Sequence, residues 1–359
     1  MKKFCLMFVF CAVIFAAGLS GCADFQEGKT EEKKTLTLMT WNLHNLFDGK
    51  DDGNEYAEFW QSSGWSIEKY KGRLNTISAA IDSIVPQPDV LIFQEIESLQ
   101  VLEDLALSLP KGYLWSHFAN NPESAIGLGI LSRYPLEDAK SHSITIGSDS
   151  IPRPVLEAAI QTKHGSFVIF ANHWKSKIGG DEATENIRKA SARVILRRIR
   201  ELMQNEPETG FIIAGDLNEN FDEFYRRGSS AVCALMPDDP FCVTFTGVNA
   251  NGQNDFIVIN GNKPPEPVNF PKQTISLYSP WIHDLENGSY FYAYNWETID
   301  HFLVSGQFFD NSGWEYDKVF IAGFEPFANA NGIPVSYNVK TGYGLSDHLP
   351  LVLVLRLRE

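Results

Sequence analysis

Carboxylates, carboxamides and imidazoles recur in this chain where short apolar runs stop or start. FIIAGDLN (211–218) runs from Phe and two Ile into Gly215, Asp216 and Asn218. LTLMTWN (36–42) ends in Asn42, DVLIFQE (89–95) in Glu95, and SFVIFANH (166–173) in Asn172 and His173. In TIDHFLVS (298–305) and SDHLPLVLVL (346–355) the order reverses, and Asp300, Asp347 and His348 precede the apolar residues. Oxygen donors of this kind suit a hard cation such as Mg2+, which takes one or two carboxylates and keeps several waters. Histidines beside carboxylates suit general-base work and charge stabilisation, because the carboxylate orients the ring and raises its basicity. Together these parts suit metal-assisted attack of water on phosphorus. Each fragment alone is also ordinary turn chemistry. The weight lies in the repetition.

The elements that must position these groups follow from the hydrophobic pattern. The apolar runs read as strands buried on both faces. In 36–42, Leu36 and Leu38 share one face, and Met39 and Trp41 share the other. Gly215 is expected to let the chain turn as its run ends. If the strands at 298–305 and 346–355 run opposite to the others, their starts lie where the others end. Asn42, Glu95, His173, Asp216, Asn218, Asp300, Asp347 and His348 then converge on one rim. Helices are expected over 67–84, capped by Ser66, over 98–107, over 181–203, and as a short turn within 220–227. The late Arg197, Arg198 and Arg200 of the third read as a solvated face. Short strands are expected at 113–118, 126–132, 151–160 and 288–294, and 243–287 reads as long loops. Arg153, between Pro152 and Pro154, suits a guanidinium aimed at phosphate, and Lys175 and Lys177 adjoin the strand-end His173. Phe59, Trp60, Trp65 and Trp281 read as aromatics able to grip lipid or sugar, or as core.

The chain of 359 residues is 44% hydrophobic and 21% charged, ample for a large core, with no internal linker. Residues 1–21 read as a signal peptide: Lys2 and Lys3, an apolar run from Phe4 to Leu19, then small residues. Leu19-Ser20-Gly21-Cys22 resembles the lipobox of bacterial lipoproteins, which implies cleavage before Cys22 and lipid on its sulfur. Residues 22–34 then form a polar tether and 35–359 the folded domain. The expected location is outside the cytoplasm on a bacterial membrane, periplasmic or at the cell surface. Cys233 and Cys242 bracket a loop with two prolines, and a disulfide or two separate thiols fit there. A formal charge of −15 argues against tight nonspecific binding of nucleic acid through phosphates.

WNLHNLFD, IFQEIES, ANHWKSK, AGDLNE, TIDHFLVS and SDHLPL resemble, in order, the motifs of the endonuclease/exonuclease/phosphatase superfamily, the deoxyribonuclease I-like fold. The resemblance implies an α/β fold, a four-layer sandwich of two packed mixed sheets flanked by helices. It implies Asn42, Glu95 and Asp347 as metal residues, and His173, Asp216, Asn218, Asp300 and His348 as catalytic ones. Arg153, Lys175 and Asn218 would contact the substrate phosphate. The cofactor would be Mg2+, with Mn2+ or Ca2+ as substitutes. ANHWKSK is most similar to secreted bacterial nuclease-like members. The inositol-polyphosphate 5-phosphatase and abasic-site endonuclease signatures are absent, and no partner carboxylate for His173 is identified. The expected function is that of a lipid-anchored, metal-dependent phosphodiesterase, a monomer acting on DNA or RNA. The alternatives are a phospholipid or sugar-phosphate hydrolase, sphingomyelinase- or phosphatase-like, and a non-catalytic binding lipoprotein.

Overall fold

The structure is a computed structural model and describes residues 34–52, 54–239, 254–265 and 274–358. The signal peptide, Cys22, the tether and Cys242 lie outside the described residues. The strands are β1 (Thr35–Leu46), β2 (Val90–Ile96), β3 (Trp115–Ala119), β4 (Gly127–Ser132), β5 (Leu136–Ile146), β6 (Asp149–Thr162), β7 (Gly165–His173) and β8 (Gly210–Asp216). They continue with β9 (Leu235–Pro237), β10 (Ile257–Asn260), β11 (Ser276–Tyr278), β12 (Tyr290–Tyr292), β13 (Asn295–Glu297), β14 (Asp300–Val304), β15 (Trp314–Ile321) and β16 (Leu351–Leu357). The helices are α1 (Ile67–Asp82), α2 (Leu99–Ser108), α3 (Asp181–Asn205) and α4 (Glu223–Arg226).

Two large mixed sheets form. One has the order β15-β16-β1-β2-β4-β3, the other β5-β6-β7-β8-β14-β11-β10-β9. Alternation of side chains along each strand divides the core. Leu36, Leu38, Val90 and Ile92 pack with Ile212, Ala214 and Phe302 between the sheets. Met39, Trp41, Leu91 and Phe93 face the other way, onto Leu74, Ile77 and Ile81 of α1 and Leu102 of α2. Phe211 and Ile213 of β8 face Ile195 and Ile199 of α3. The layers are therefore helix, sheet, sheet, helix, the four-layer α/β sandwich expected. Ser66 and Ser98 cap α1 and α2 by accepting from Lys69 N–H and Val101 N–H.

Strands β14 and β16 run antiparallel to β8 and β1, while β1–β2 and β7–β8 are parallel. Asp300 pairs with Asp216, and His173 also pairs with Asp216, so three strands deliver their polar ends to one place.

Several expectations are corrected. The interval 243–287 holds β10 and β11 as well as loop, and β5 and β15 form where no strand was expected. Of the two readings of the aromatic set, the core one holds for Phe59, Trp65 and Trp281, and Trp60 alone of that set is exposed. Phe59 packs on both Phe47 and Trp65, and Trp281 donates its indole N–H to the Asp300 carbonyl at 2.8 Å. Arg198 is not simply solvated: it holds Glu157 through Nε and Nη2. Cys233 is a buried free thiol, one of the two readings the sequence left open.

Gly215 does not turn the chain. It lies inside β8 at φ +126°, between Asn172 of β7 and His301 of β14. A Cβ there would stand 2.1 Å from the Asn172 carbonyl oxygen, a backbone atom that cannot move aside. The glycine thus lets two strands approach closely where both carry site residues. Gly215→Ala should therefore lower stability by at least ~2 kcal/mol, from backbone strain plus overpacking. Gly147→Ala, with nothing within 4 Å of its Cβ, should cost only the ~1 kcal/mol of its positive φ. Urea unfolding midpoints measure both, and equal small losses would contradict the assignment.

Candidate active site

The rim is built by departures from regular strand geometry. Alternation along β2 would send Glu95 to the face of Leu91 and Phe93, under α1 and α2. Register shifts at Asn42/Leu46 and at Gln94/Ile96 mark bulges that take it out of that pattern. His44, Asn45, Glu95 and Asn218 adopt φ of 52°, 61°, 63° and 50°. Such backbone costs about 1–3 kcal/mol per residue. Val90, Leu91, Ile92 and Phe93, all fully buried, contribute about 1.5–3 kcal/mol each, so the core of this one strand outweighs the strain at its end.

The side chains converge. Asn42 Nδ2 donates to Glu95 Oε1 at 3.2 Å and to Asp216 Oδ2 at 3.1 Å, while Asn42 Oδ1 accepts from His44 N–H at 2.9 Å. In this arrangement Asn42 clamps two carboxylates. Asn45 N–H donates to Glu95 Oε2 at 2.9 Å. His173 Nε2 lies 3.6 Å from both Glu95 Oε1 and Asp216 Oδ2, which supplies the carboxylate neighbours that the sequence left unidentified. Burial, with Arg153 and His348 nearby, holds His173 well below the ordinary value, so this imidazole is neutral.

Asp300 Oδ2 accepts from His348 Nδ1 at 2.8 Å and from Ser289 Oγ at 2.6 Å. His348 Nε2 faces Asp216 Oδ2 at 4.0 Å. Burial works against a charged His348, but Asp300, Asp347 and Asp216 outweigh it and raise the imidazole to about 10. Burial likewise raises Asp216, partly offset by His348, to about 7. Asp216 Oδ1 also accepts from Asn218 N–H at 2.9 Å, and Asn218 Nδ2 donates to the Trp174 carbonyl at 3.1 Å.

Glu95, His173, Asp216, Asn218, Asp347 and His348 line a cleft of about 650 Å3 together with Asn45, Tyr56, Arg153, Lys177, Tyr290 and Tyr292, and Asn42 and Asp300 reach it only through the carboxylate and imidazole they hold. Arg153 donates to the Trp174 carbonyl from the cleft wall. Lys175 turns onto its own loop, with Nζ 3.3 Å from Ser176 Oγ and from the Ile178 carbonyl. Lys177, its neighbour in the motif, reaches the cleft and pairs with Glu223. Asp347 lies 4.0 Å from His44 Nδ1 and keeps more solvent (28%) than Asp216 or Asp300.

Two candidate ligand sets must be separated. Asp216, Asp300 and His348 bring ligand atoms within 4.8 Å of one another. The Asp300–His348 bond and the burial of both carboxylates suit this trio to proton handling, and the same three groups are also close enough to hold a cation. Glu95 and Asp347 are oxygen donors that retain water access (16% and 28%), which is the chemistry a hard divalent ion needs.

Sequence reasoning missed two supports. Ser289 holds Asp300 from a segment with no motif. Arg73 of α1, fully buried, donates to the carbonyls of Leu43, His44 and Asn45, each at 2.7 Å, with its guanidinium 4.0 Å from the Tyr337 ring centre. It reads in sequence as one more polar residue of an amphipathic helix. Arg73→Met should cost about 3 kcal/mol, as three buried carbonyls lose their donors. It should also lower kcat by loosening Asn42 and Glu95, and denaturant melts beside steady-state kinetics would show both. In the metal-free protein, NMR of the His348 ring should show it protonated through neutral pH. Asp300→Asn should lower that titration toward the ordinary 6.5. The stability tied to this raised value is complete below about 6.5 and is lost as pH rises through about 10.

Residues 37–232 match the family model described as Endonuclease/Exonuclease/phosphatase family. No curated protein matches the chain. Truncated TDP2 from Caenorhabditis elegans is similar in structure, with a TM-score of 0.52 and 14% identity, over 90% of this chain and 97% of that one. An endonuclease/exonuclease/phosphatase family protein from Bacteroides thetaiotaomicron gives 0.51 and 15%, over 90% and 95%. TDP2 from D. rerio, complexed with single strand DNA product, gives 0.50 and 16%, over 90% and 99%. These likenesses speak for the fold, and the family model speaks for the lineage. With its six motifs delivered to one cleft, the chain belongs to the endonuclease/exonuclease/phosphatase family of phosphoric ester hydrolases.

Proposed function

We propose that this protein is a divalent-metal-dependent phosphodiesterase that cleaves nucleic acid, held outside the cytoplasm by lipid on Cys22. The observation that carries the catalytic part is the chain of contacts Asp300–His348–Asp216, with Asn218 and His173 around the same carboxylate. Asp216, raised to about 7, has the basicity to take a proton from attacking water near neutral pH. Asn218 and Asn42 hold that carboxylate in place. The His348 imidazolium, oriented by Asp300, offers its Nε2–H to a phosphoryl oxygen as charge builds there. Neutral His173 is a second polar contact in the cleft, and Arg153 contacts the phosphate. Glu95 and Asp347 would hold the ion, with Asn42 steadying Glu95. A bound Mg2+ supplies Lewis-acid stabilisation of the phosphoryl oxygens.

TDP2 from D. rerio holds a single-strand DNA product, which supports a nucleic-acid substrate for this chain at the level of fold. The membrane part rests on the lipobox-like Leu19-Ser20-Gly21-Cys22. A panel of DNA, RNA, phosphoinositide, sphingomyelin and a simple phosphodiester, each with Mg2+ and with EDTA, tests the reading. Cleavage of nucleic acid that EDTA abolishes and Mg2+ restores is expected. Asp216→Ala and His348→Ala should each lower kcat/KM by about 10^2- to 10^4-fold. Activity unchanged in both variants would sink the site assignment. Cys22→Ser should move the protein from the membrane to the soluble fraction, and continued membrane retention would refute the anchor.

A further inference from the structure

The hairpin of β12 and β13 stands at the mouth of the cleft, and the mechanism above does not use it. Its root is fixed to the catalytic residues. Tyr290 forms a β-bridge with His348, and Leu349 N–H donates to the Ser289 carbonyl at 2.7 Å. The Tyr290 ring packs against the His348 imidazole at 4.7 Å with a 34° tilt. Tyr292 lies nearly parallel to Tyr290, at 11° and 6.2 Å. The rings thus form a stack that begins at the imidazole and ends at Tyr292, which lines the cleft and is 66% exposed.

The tip of the hairpin is strained in favour of an exposed aromatic. Tyr292 pairs with Asn295 across a two-residue turn, Ala293-Tyr294, with φ of 47° and 66°. Two-residue hairpins that need positive φ at both positions normally use Asn-Gly. Here the second position is a tyrosine that is 94% exposed, so no packing explains the choice. Strain kept without a packing reason points to function.

Charge narrows the ligand. The chain carries a net −15, and of the cleft's Arg153 and Lys177, Lys177 is already paired with Glu223. Beyond Arg153 and the His348 imidazolium at the scissile phosphate, a polyanion therefore finds few cationic contacts here, and further affinity must come from neutral surfaces. Flat aromatic rings offer such a surface to nucleobases in a sequence-tolerant way. We propose that the hairpin is a stacking arm for single-stranded nucleic acid, with Tyr292 receiving a base next to the scissile phosphate and Tyr294 the next base outward. The proposal rests on the phosphodiesterase reading of the cleft and names its substrate class.

The test is equilibrium binding by the full chain in EDTA, where no turnover occurs. The probes are a short single-stranded oligonucleotide carrying 2-aminopurine and a strand of equal length with abasic sites. The wild type should bind the base-bearing strand about 5- to 150-fold more tightly. Tyr292→Ala should remove that preference and Tyr292→Trp should keep it; the side chain is exposed enough for both variants to fold. Binding should fall only shallowly with salt, with a log–log slope near −0.7 per phosphate held. Equal affinity for the two strands would overturn the proposal. So would a preference that survives Tyr292→Ala, a slope steeper than about −3, or binding seen with phosphatidylcholine vesicles and with neither strand. A base preference without cleavage of any strand in Mg2+ would instead refute the catalytic reading and support the arm.

Discussion

Asp300 and His348 meet at 2.8 Å with both side chains almost wholly out of water, and much of the structure is arranged around that contact. A buried ion pair seldom stabilises a fold, because desolvation consumes the Coulombic gain. The surroundings support one side of the pair, while Asp300 Oδ1 is buried without a hydrogen-bond partner among the described residues. Ser289 fills a second bond to the same carboxylate oxygen, Trp281 takes the Asp300 carbonyl, and Trp41 donates to the His348 carbonyl at 2.9 Å. The antiparallel entry of β14 beside β8 sets Asp300 opposite Asp216. From there the charge on His348 moderates the burial of Asp216, and Asn42 ties Asp216 to Glu95.

A second network braces the cleft from the helix side. Arg188 of α3, with no exposed side-chain surface, bonds Asp181, Glu185 and Glu219, and donates to the Lys175 carbonyl at 3.2 Å. Arg227 reaches the same Asp181 and Glu185. Loops that leave β7 and β8 are thereby tied to one helix. Lys175 and Asn218 sit on those loops, so their position is set by charges that never meet a substrate.

Much of the rim was legible in the sequence because buried strands that stop at a polar residue are uncommon, and several occurred in one chain. Asn42, Glu95, His173, Asp216 and Asn218 follow directly from that pattern, and Asp300, Asp347 and His348 follow once antiparallel direction is assumed. What stayed hidden depends on distant partners. Ser289, Arg73 and Tyr290 carry no local signal, since their contacts are made only when the chain is folded. Strand β5 was missed because one face is largely exposed and its register is interrupted twice. In β15 partial exposure blurs the alternation. Gly215 was misjudged because glycine after an apolar run looks like a turn, whereas here it makes room for a neighbouring backbone. Lys175 and Lys177 were indistinguishable until Glu223 drew one of them to the cleft.

Strand β1, close to the start of the folded unit, has β2 on one side and β16 on the other. Ser346 Oγ closes the same seam by donating to the Asn42 carbonyl at 2.6 Å. During synthesis the ribosome therefore releases Asn42, Glu95, His173 and Asp216 long before their last partners exist. Until residues 346–357 have emerged, the first sheet lacks a central strand and the imidazole at position 348 is missing. A nascent chain carries no finished site until residues 346–357 have emerged.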